Sequence, residues 1–311
     1  ARCSRNGRRS SWRSWSNHGS PATYRMATEV SQLIAEGRLR LQRVTDQPSH
    51  EAEILLAAAL GKSRAWVMAH PEERILDCEA TDRYESYVTR RSHGEPVAYV
   101  LGEKEFWSLP LEVTSDVLVP RPETELVVEL ALTHLPRDQE ARALDLAAGS
   151  GAIALALARE LPRTTVVGTD ISAAAIAVAR RNAQRLGLAN VRFRTGNWFD
   201  PVADERFDLI ASNPPYIAES DDRVEPAVRR FEPHAALFGG ADGLEALRVI
   251  AGTAAGHLSP GGWLVVEHGD RQGLAVRELL RAGGFADVRT HQDLAGLDRC
   301  TEGHWLGAPG T

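Results

Sequence analysis

The pattern of apolar and polar positions divides the chain into two unlike parts. From about residue 122 onward, short apolar runs alternate with longer segments of helical periodicity, which predicts a parallel sheet with helices between its strands. Five strands are expected at 142–146, 165–169, 191–194, 207–211 and 263–267, with helices at 153–161 and 173–186. Residues 286–306 should add an antiparallel pair. The predicted fold is therefore an α/β sheet of seven strands.

The first part of the chain, residues 26–92, has the periodicity of helices. Ser49 can cap one helix and Gly61 can end it. We expect a small bundle of four or five helices, which either adds stability alone or recognises a partner. Residues 93–120 then alternate apolar and polar positions between turn signals, and we interpret them as a β-hairpin linker to a domain over 121–311.

Charge is distributed unevenly along the 311 residues. Residues 1–28 hold six arginines and no acidic residue, so the remaining 30 basic and 42 acidic residues give the rest of the chain a net charge of −12. Such an acidic body gives no support for tight binding to duplex nucleic acid. Residues 1–25 lack the apolar run of a secretory signal, and we expect a disordered tail; a transit peptide has a similar composition.

The remaining composition excludes several classes of protein. Cys3, Cys78 and Cys300 form no C-x-x-C pair, which argues against a disulfide scaffold or zinc finger and fits a reducing, cytoplasmic location. No stretch approaches the roughly 18 apolar residues of a membrane span, so we expect no membrane insertion. The ten histidines show no ligand spacing, and no metal site is expected.

A glycine-rich turn follows the first predicted strand. The strand ends in Asp145-Leu-Ala-Ala-Gly-Ser-Gly151, and such a turn lets a ligand approach the backbone N–H groups at the start of the next helix. Asp170 closes the second strand, 19 residues after Gly151, where a carboxylate can accept hydrogen bonds from two ribose hydroxyls. The pattern predicts an adenosine-containing cofactor without choosing between NAD and S-adenosylmethionine. A glycine turn that serves only tight packing is the plain structural alternative.

The fourth predicted strand runs directly into Asn213-Pro-Pro-Tyr216. Chance gives this tetrapeptide in about one chain per thousand of this length, and here it stands at a strand end where such sheets bind ligands. The Asn213 oxygen and the Pro214 carbonyl can each accept one N–H of a substrate NH2 group, and two prolines stiffen the backbone. Tyr216 offers a flat face to a planar group. The motif thus suits methylation of an amide or aromatic nitrogen, which needs orientation more than covalent help.

Together, the glycine turn and Asn213–Tyr216 resemble those of S-adenosylmethionine-dependent N-methyltransferases. The chain further resembles the peptide chain release factor glutamine methyltransferases, from about Met26 to the last strand. The segments that carry this resemblance are Pro120-Arg-Pro-Glu-Thr-Glu125, Gly196-Asn-Trp-Phe199, Gly239-Gly-Ala-Asp-Gly-Leu244, Glu267-His-Gly-Asp-Arg-Gln-Gly273 and Asp293-Leu-Ala-Gly-Leu-Asp-Arg299.

The resemblance implies a Rossmann-like methyltransferase domain preceded by a helical substrate-recognition domain. It implies methylation, on the side-chain N5, of the glutamine in the Gly-Gly-Gln loop of class 1 release factors. It implies S-adenosylmethionine as the cofactor. The implied cofactor contacts are Ala147, Ala148, Gly149, Ser150, Gly151, Asp170, Trp198 and Asn213, and the implied substrate contacts are Asn213, Pro214, Pro215, Tyr216, Arg121 and Glu123, with Asn213, Pro214 and Tyr216 as the catalytic residues.

Several of these assignments have plainer alternatives. Trp198 is expected beside the adenine, with a plain core position as the alternative, and Arg121 and Glu123 either line the substrate entrance or brace the domain junction. Ala147-Ala148 departs from the more usual Gly-Thr or Gly-Ala of the family, and the added methyl should matter little because the backbone N–H groups remain. His268 also departs from the family, and we assign it no role. We expect the pocket to lie wholly after residue 140.

Three rival functions remain to be weighed. An adenine methyltransferase of DNA or RNA shares the chemistry, but it would need a basic surface and usually a target-recognition domain. An NAD-dependent oxidoreductase would use the glycine turn and leave Asn213–Tyr216 unexplained. A non-catalytic binding module would keep only the fold, and the intact acceptor motif argues against it.

Overall fold

The computed structural model describes residues 28–307, and the tail expected at 1–25 lies outside this range. The helices are α1 Val30–Leu41, α2 Pro48–Leu60, α3 Arg64–Ala69, α4 Cys78–Ser92, α5 Val97–Leu101, α6 Glu125–His134, α7 Ala152–Glu160, α8 Ala173–Leu186, α9 Pro226–Phe231, α10 His234–Leu237, α11 Glu245–Thr253 and α12 Gly273–Ala282. The strands are β1 Thr28–Glu29, β2 Arg74–Ile75, β3 Glu103–Phe106, β4 Leu109–Glu112, β5 Ala141–Leu146, β6 Thr164–Asp170, β7 Val191–Thr195, β8 Phe207–Ser212, β9 Leu258–Glu267, β10 Ala286–Gln292 and β11 Asp298–Trp305.

The helices α1 to α4 form the expected bundle around an apolar core, which includes the fully buried Leu55 and Leu56 and also Val100 of α5. Gly61 ends α2 in the left-handed conformation at φ 62°, as predicted. The predicted cap at Ser49 is wrong, because α2 already begins at Pro48. Proline suits the first helical turn, where its missing N–H leaves no bond unmade, and Ser49 therefore lies inside the helix.

The segment between the bundle and the sheet contains the expected hairpin of β3 and β4, preceded by the short helix α5, which the sequence did not indicate. The hairpin packs against α8. The buried Asn182 side chain accepts a bond from the Glu112 amide at 2.7 Å and donates to the Glu112 carbonyl at 3.0 Å. Arg181 adds an ion pair to the Glu112 carboxylate at 2.7 Å. The hairpin is thus fixed to the sheet-bearing part of the chain.

The seven-stranded sheet has the order β10-β11-β9-β8-β5-β6-β7, and β11 runs antiparallel to both neighbours. This confirms the predicted α/β fold. Apolar residues of α6, α7 and α8 cover one face, and those of α11 and α12 cover the other. The chain turns to opposite sides of the sheet after β5, with β6 on one flank and β8 on the other. Sheets of this type bind ligands at such a switch point, beyond the carboxyl ends of the strands.

Among residues 28–307, no helix is long and apolar enough to cross a membrane.

Candidate active site

A cavity of about 490 Å³ lies at the carboxyl edge of β5 and β8, where the glycine turn and Asn213 meet. Eight of the predicted site residues line it: Ala147, Ala148, Gly149, Ser150, Asp170, Trp198, Asn213 and Pro215. Gly151, Pro214, Tyr216, Arg121 and Glu123 do not line it. The topology therefore gathers the two motifs, which stand more than 60 positions apart in the sequence, around one space.

The glycine turn combines a packing role with an open face toward the cavity. A Cβ on Gly151 would come within 2.9 Å of the Phe193 ring, so packing alone demands glycine there. A Cβ on Gly149 would meet no atom within 4 Å, and here it is the φ of 54° that favours glycine. Ala147 also has a positive φ, of 58°. The backbone N–H groups remain, as expected, but the extra methyl carries conformational strain that the sequence did not reveal.

Asp170 anchors the turn from the neighbouring strand. Its Oδ2 accepts a bond from the Gly149 amide at 2.9 Å and its Oδ1 one from the Ser172 amide at 2.8 Å. Burial raises the pKa of this carboxyl, against the lowering effect of the two amide bonds. Each oxygen keeps a second lone pair that can accept a ribose hydroxyl. Ile171, next in the chain, lines the same cavity with 66% of its surface exposed, which provides an apolar wall.

Asp145, at the end of β5, is a buried carboxyl beneath the turn. Its Oδ2 accepts a bond from the Ala154 amide in the first turn of α7 at 3.0 Å. Its Oδ1 has no hydrogen-bond partner among the residues that the structure describes. Burial is the main reason that the pKa of Asp145 rises to about 8. Asp145 therefore ties the strand to the helix as a buried carboxyl group whose neutral form is favoured by burial.

Trp198 lies both at the cavity wall and against the core. It lines the cavity, and it also packs against the apolar cluster that includes Leu146 and Phe199. Its backbone has a φ of 41°, and its carbonyl accepts a bond from the Thr169 hydroxyl at 3.1 Å. The loop after β7 is thus held in an unusual conformation that presents the indole to the cavity.

One end of the Asn213 carboxamide is held by a side chain that precedes the sheet in the chain. Its Nδ2 donates to the hydroxyl of Thr124 at 3.0 Å, and Thr124 belongs to the 3-10 turn Pro122–Thr124 before α6. Both residues line the cavity, and Thr124 is buried. Because the NH2 end of the carboxamide is bound to Thr124, the oxygen end is left available as an acceptor.

Tyr216 is fixed at both ends, behind the cavity wall. Its hydroxyl donates to Glu267 Oε1 at 2.9 Å, and its carbonyl accepts a bond from Gln272 Nε2 at 2.9 Å. Burial, followed by the negative charge of Glu267, raises the pKa of Tyr216 well above its usual value. These contacts hold the Asn213–Tyr216 segment rigid at its C-terminal end. Glu267 and Gln272 lie in one motif, and both of them contribute to this support.

The Arg121 side chain forms an ion pair that connects two segments of the chain. Its Nη2 lies 2.5 Å from Glu232 Oε1, and the buried Glu232 also accepts a bond from the Val119 amide at 3.1 Å. The pair joins the segment before α6 to the end of α9, so Arg121 supports two elements that flank the cavity without lining it. Glu123 is exposed.

The expectation that the pocket lies wholly after residue 140 is wrong. The chain crosses the carboxyl edge of the sheet before entering α6, and this crossing forms one wall of the cavity. The second wall that sequence reasoning missed comes from α10 and its flanks. The additional lining residues of these two walls are Asp116, Val117, Leu118, Pro120, Thr124, Pro233, Ala235, Ala236 and Phe238. The sequence did offer one sign of the first wall, because the segment Pro120–Glu125 carries part of the family resemblance.

His268 is structural. It is fully buried, its Nδ1 lies 2.9 Å from the Gly269 carbonyl and its Nε2 lies 2.8 Å from the Thr301 hydroxyl. Burial lowers its pKa, which favours the neutral ring. In the part of the chain that the structure describes, no three His, Cys, Asp or Glu side chains are grouped so as to hold a metal ion.

Comparison with known proteins adds independent findings. Residues 124–243 match the family model of the methyltransferase small domain, and residues 32–102 match that of the PrmC N-terminal domain. The chain is 50% identical to the release factor glutamine methyltransferase of Pseudomonas aeruginosa, over 89% of this chain and 99% of that protein. It is 49% identical to the one of Xylella fastidiosa, over 88% and 98%. The crystal structure of a methyltransferase from Pyrococcus furiosus is 22% identical in sequence and has a TM-score of 0.51. The match covers 73% of this chain and 100% of that chain, and it shows that the two share a fold.

Proposed function

The chain belongs to the release factor glutamine methyltransferases, and from this we propose that it methylates the side-chain N5 of the glutamine in the Gly-Gly-Gln loop of class 1 release factors. The observation that carries the proposal is the Asn213 carboxamide. Its NH2 group is bound to Thr124 at 3.0 Å, so its oxygen is left to accept an N–H of an incoming amide. The Pro214 carbonyl is the second acceptor in the proposed mechanism.

The cofactor is S-adenosylmethionine, and the cavity residues fit it. The backbone amides of the glycine turn and the remaining lone pairs of Asp170 suit its polar groups, while Ile171 and Trp198 supply apolar surface for a planar base. When bound, the cofactor supplies an electrophilic methyl group on a sulfonium. Asp170 and Asn213 line the same cavity, so both ligands can reach one space.

The protein's contribution to the reaction is orientation. The lone pair of an amide nitrogen is delocalised, so the nitrogen attacks slowly unless it is held in line with the bond that breaks. Two acceptors bind both N–H groups and fix the plane of the glutamine amide, and Tyr216, anchored on Glu267, keeps the acceptor segment rigid. No base needs to act before methyl transfer, because the nitrogen becomes acidic only after it gains the methyl group.

We propose that residues 26–92 recognise the body of the release factor, that 93–120 link them to the methyltransferase domain at 121–311, and that the protein acts in the cytoplasm. Supporting the first point, α5 joins the bundle to the cavity wall, because Val100 belongs to the apolar core of the bundle and Tyr99 to an apolar cluster with the cavity-lining Val117. The acidic body of the chain disfavours the nucleic-acid alternative.

Mass spectrometry tests the proposal directly. The purified protein is incubated with S-adenosylmethionine and either an intact class 1 release factor, a short Gly-Gly-Gln peptide or an adenine-containing oligonucleotide. We expect one added methyl group on the loop glutamine of the intact factor, slow reaction of the peptide and none of the oligonucleotide. Methylation of the oligonucleotide alone would refute the proposed substrate, and equal rates for factor and peptide would refute the recognition role of residues 26–92.

A further inference from the structure

The contact between Thr124 and Asn213 joins parts of the chain that are 89 positions apart. Thr124 lies before the sheet begins, and Asn213 directly follows β8. The Thr124 side chain is 4% exposed and meets Asn213 at the cavity wall. A buried hydroxyl at this place can decide which way the carboxamide faces.

The two ends of a carboxamide have nearly the same shape and opposite hydrogen-bonding character. If the Asn213 side chain rotated by half a turn, its NH2 group would face the substrate NH2 group, donor against donor. The acceptor function proposed above therefore requires one of two orientations that differ little in packing. Something beside Asn213 must distinguish them.

The bond to Thr124 supplies the asymmetry. Thr124 Oγ1 accepts a hydrogen bond from the Nδ2 end of the Asn213 carboxamide at 3.0 Å, and both residues line the cavity. The carboxamide keeps this bond only in the orientation in which its NH2 group faces Thr124 and its oxygen faces away from it.

We propose that Thr124 is a positioning residue for the methyl transfer, whose hydroxyl binds the Asn213 NH2 group and so keeps the Asn213 oxygen turned toward the substrate amide. This inference rests on the proposed function, since it concerns the acceptor for the glutamine NH2 group.

Two variants of Thr124 and one control variant test it. Thr124→Val keeps the shape and removes the hydroxyl, Thr124→Ser keeps the hydroxyl, and Thr133→Val makes the same change at an exposed position of α6 as the matched control. With intact release factor we expect kcat to fall about tenfold in Thr124→Val, the factor for losing one hydrogen bond of about 1.4 kcal/mol. We expect Thr124→Ser to stay within about threefold of wild type, Thr133→Val to be unchanged, and the calorimetric affinity for S-adenosylmethionine to be the same in all.

A second measurement does not depend on turnover. The side-chain NH2 signal of Asn213, assigned by its loss in Asn213→Ala, should exchange slowly with solvent in wild type and Thr124→Ser and faster in Thr124→Val. Should Thr124→Val fail to fold, Thr124→Ala removes the same hydroxyl without added bulk.

The outcomes separate the two proposals. If the wild-type protein does not methylate the release factor, the proposed function fails, and the NH2 exchange still decides whether Thr124 orients Asn213. If the wild-type protein does methylate it, then unchanged kcat and unchanged NH2 exchange in Thr124→Val overturn the positioning role. Equal losses in Thr124→Ser and Thr124→Val would also overturn it, because they would trace the effect to packing.

Discussion

Replacing Asp145 by asparagine should make the protein more stable, and increasingly so as pH rises. Burial raises the pKa of Asp145 to about 8, whereas an unfolded chain has an aspartate pKa of about 3.9. Below pH ~4 the carboxyl is neutral in both states, so its ionisation takes no stability from the folded protein. As pH rises toward about 8, the unfolded chain ionises while the folded protein holds the proton, so stability is lost across this window. The asparagine side chain of the Asp145→Asn variant would have no charge to bury.

The structure also indicates the pH range in which the wild-type protein and Asp145→Asn should have similar stability. The protonated carboxyl carries one donor that lacks a partner among the described residues, and the asparagine variant would place an NH2 group there. Both would keep an acceptor for the Ala154 amide. Their free energies of unfolding should therefore be closest at low pH. Each pH unit within the window should then widen the difference by up to about 1.4 kcal/mol, and we expect a rise of at least about 2 kcal/mol between pH 5 and pH 8.

Urea unfolding at several pH values measures this difference. Asp204→Asn, at an exposed position shortly before β8, is the matched control and should show no comparable trend. A difference between Asp145→Asn and wild type that stays flat from pH 5 to pH 8 would refute the reasoning, because it would mean that Asp145 is ionised in the folded protein at neutral pH.

Three further changes probe the cavity. Asp170→Ala removes both acceptors of the turn and should weaken S-adenosylmethionine binding by about 1.5–3 kcal/mol in calorimetry; an unchanged affinity would remove Asp170 from the cofactor site. Asn213→Ala should lower kcat at least about a hundredfold, while Asn213→Asp, which keeps an acceptor oxygen, should retain more activity; wild-type turnover by Asn213→Ala would contradict the orientation mechanism. Ala147→Gly removes the strain of an alanine in the left-handed conformation. It should raise the free energy of unfolding by about 0.5–1 kcal/mol, after subtraction of the entropic cost of glycine. A lower stability of this variant in urea would show that the turn is unstrained.

Local signals predicted the elements of this fold well. The helix α8 was predicted with its observed bounds because its apolar face is regular and Gly187 ends it at a φ of 66°. The strand pair β10 and β11 lies within the expected range for similar reasons. The missed cap of α2 shows the limit of such reasoning, since Pro48 and Ser49 are both good residues for a helix start and only the structure decides between them.

The candidate site was predictable only where its residues follow a strand end. The glycine turn, Asp170 and Asn213 carry that signal. Thr124 does not, because nothing in its neighbourhood indicates a contact 89 positions away. The positive φ of Ala147 was equally invisible, since alanine gives no hint of a conformation that glycine usually adopts.

The segment that crosses the sheet edge before α6 has a consequence for protein engineering. Its residues line the cavity, and Tyr99 of α5 donates to the Val117 carbonyl at 2.5 Å, so α5 and the crossing behave as one piece with the sheet. A chimera that takes its helical bundle from a relative should therefore be joined before Val97. A junction placed after Thr124 would import a foreign cavity wall together with the bundle, and would alter cofactor binding in an experiment meant to change only the choice of protein substrate.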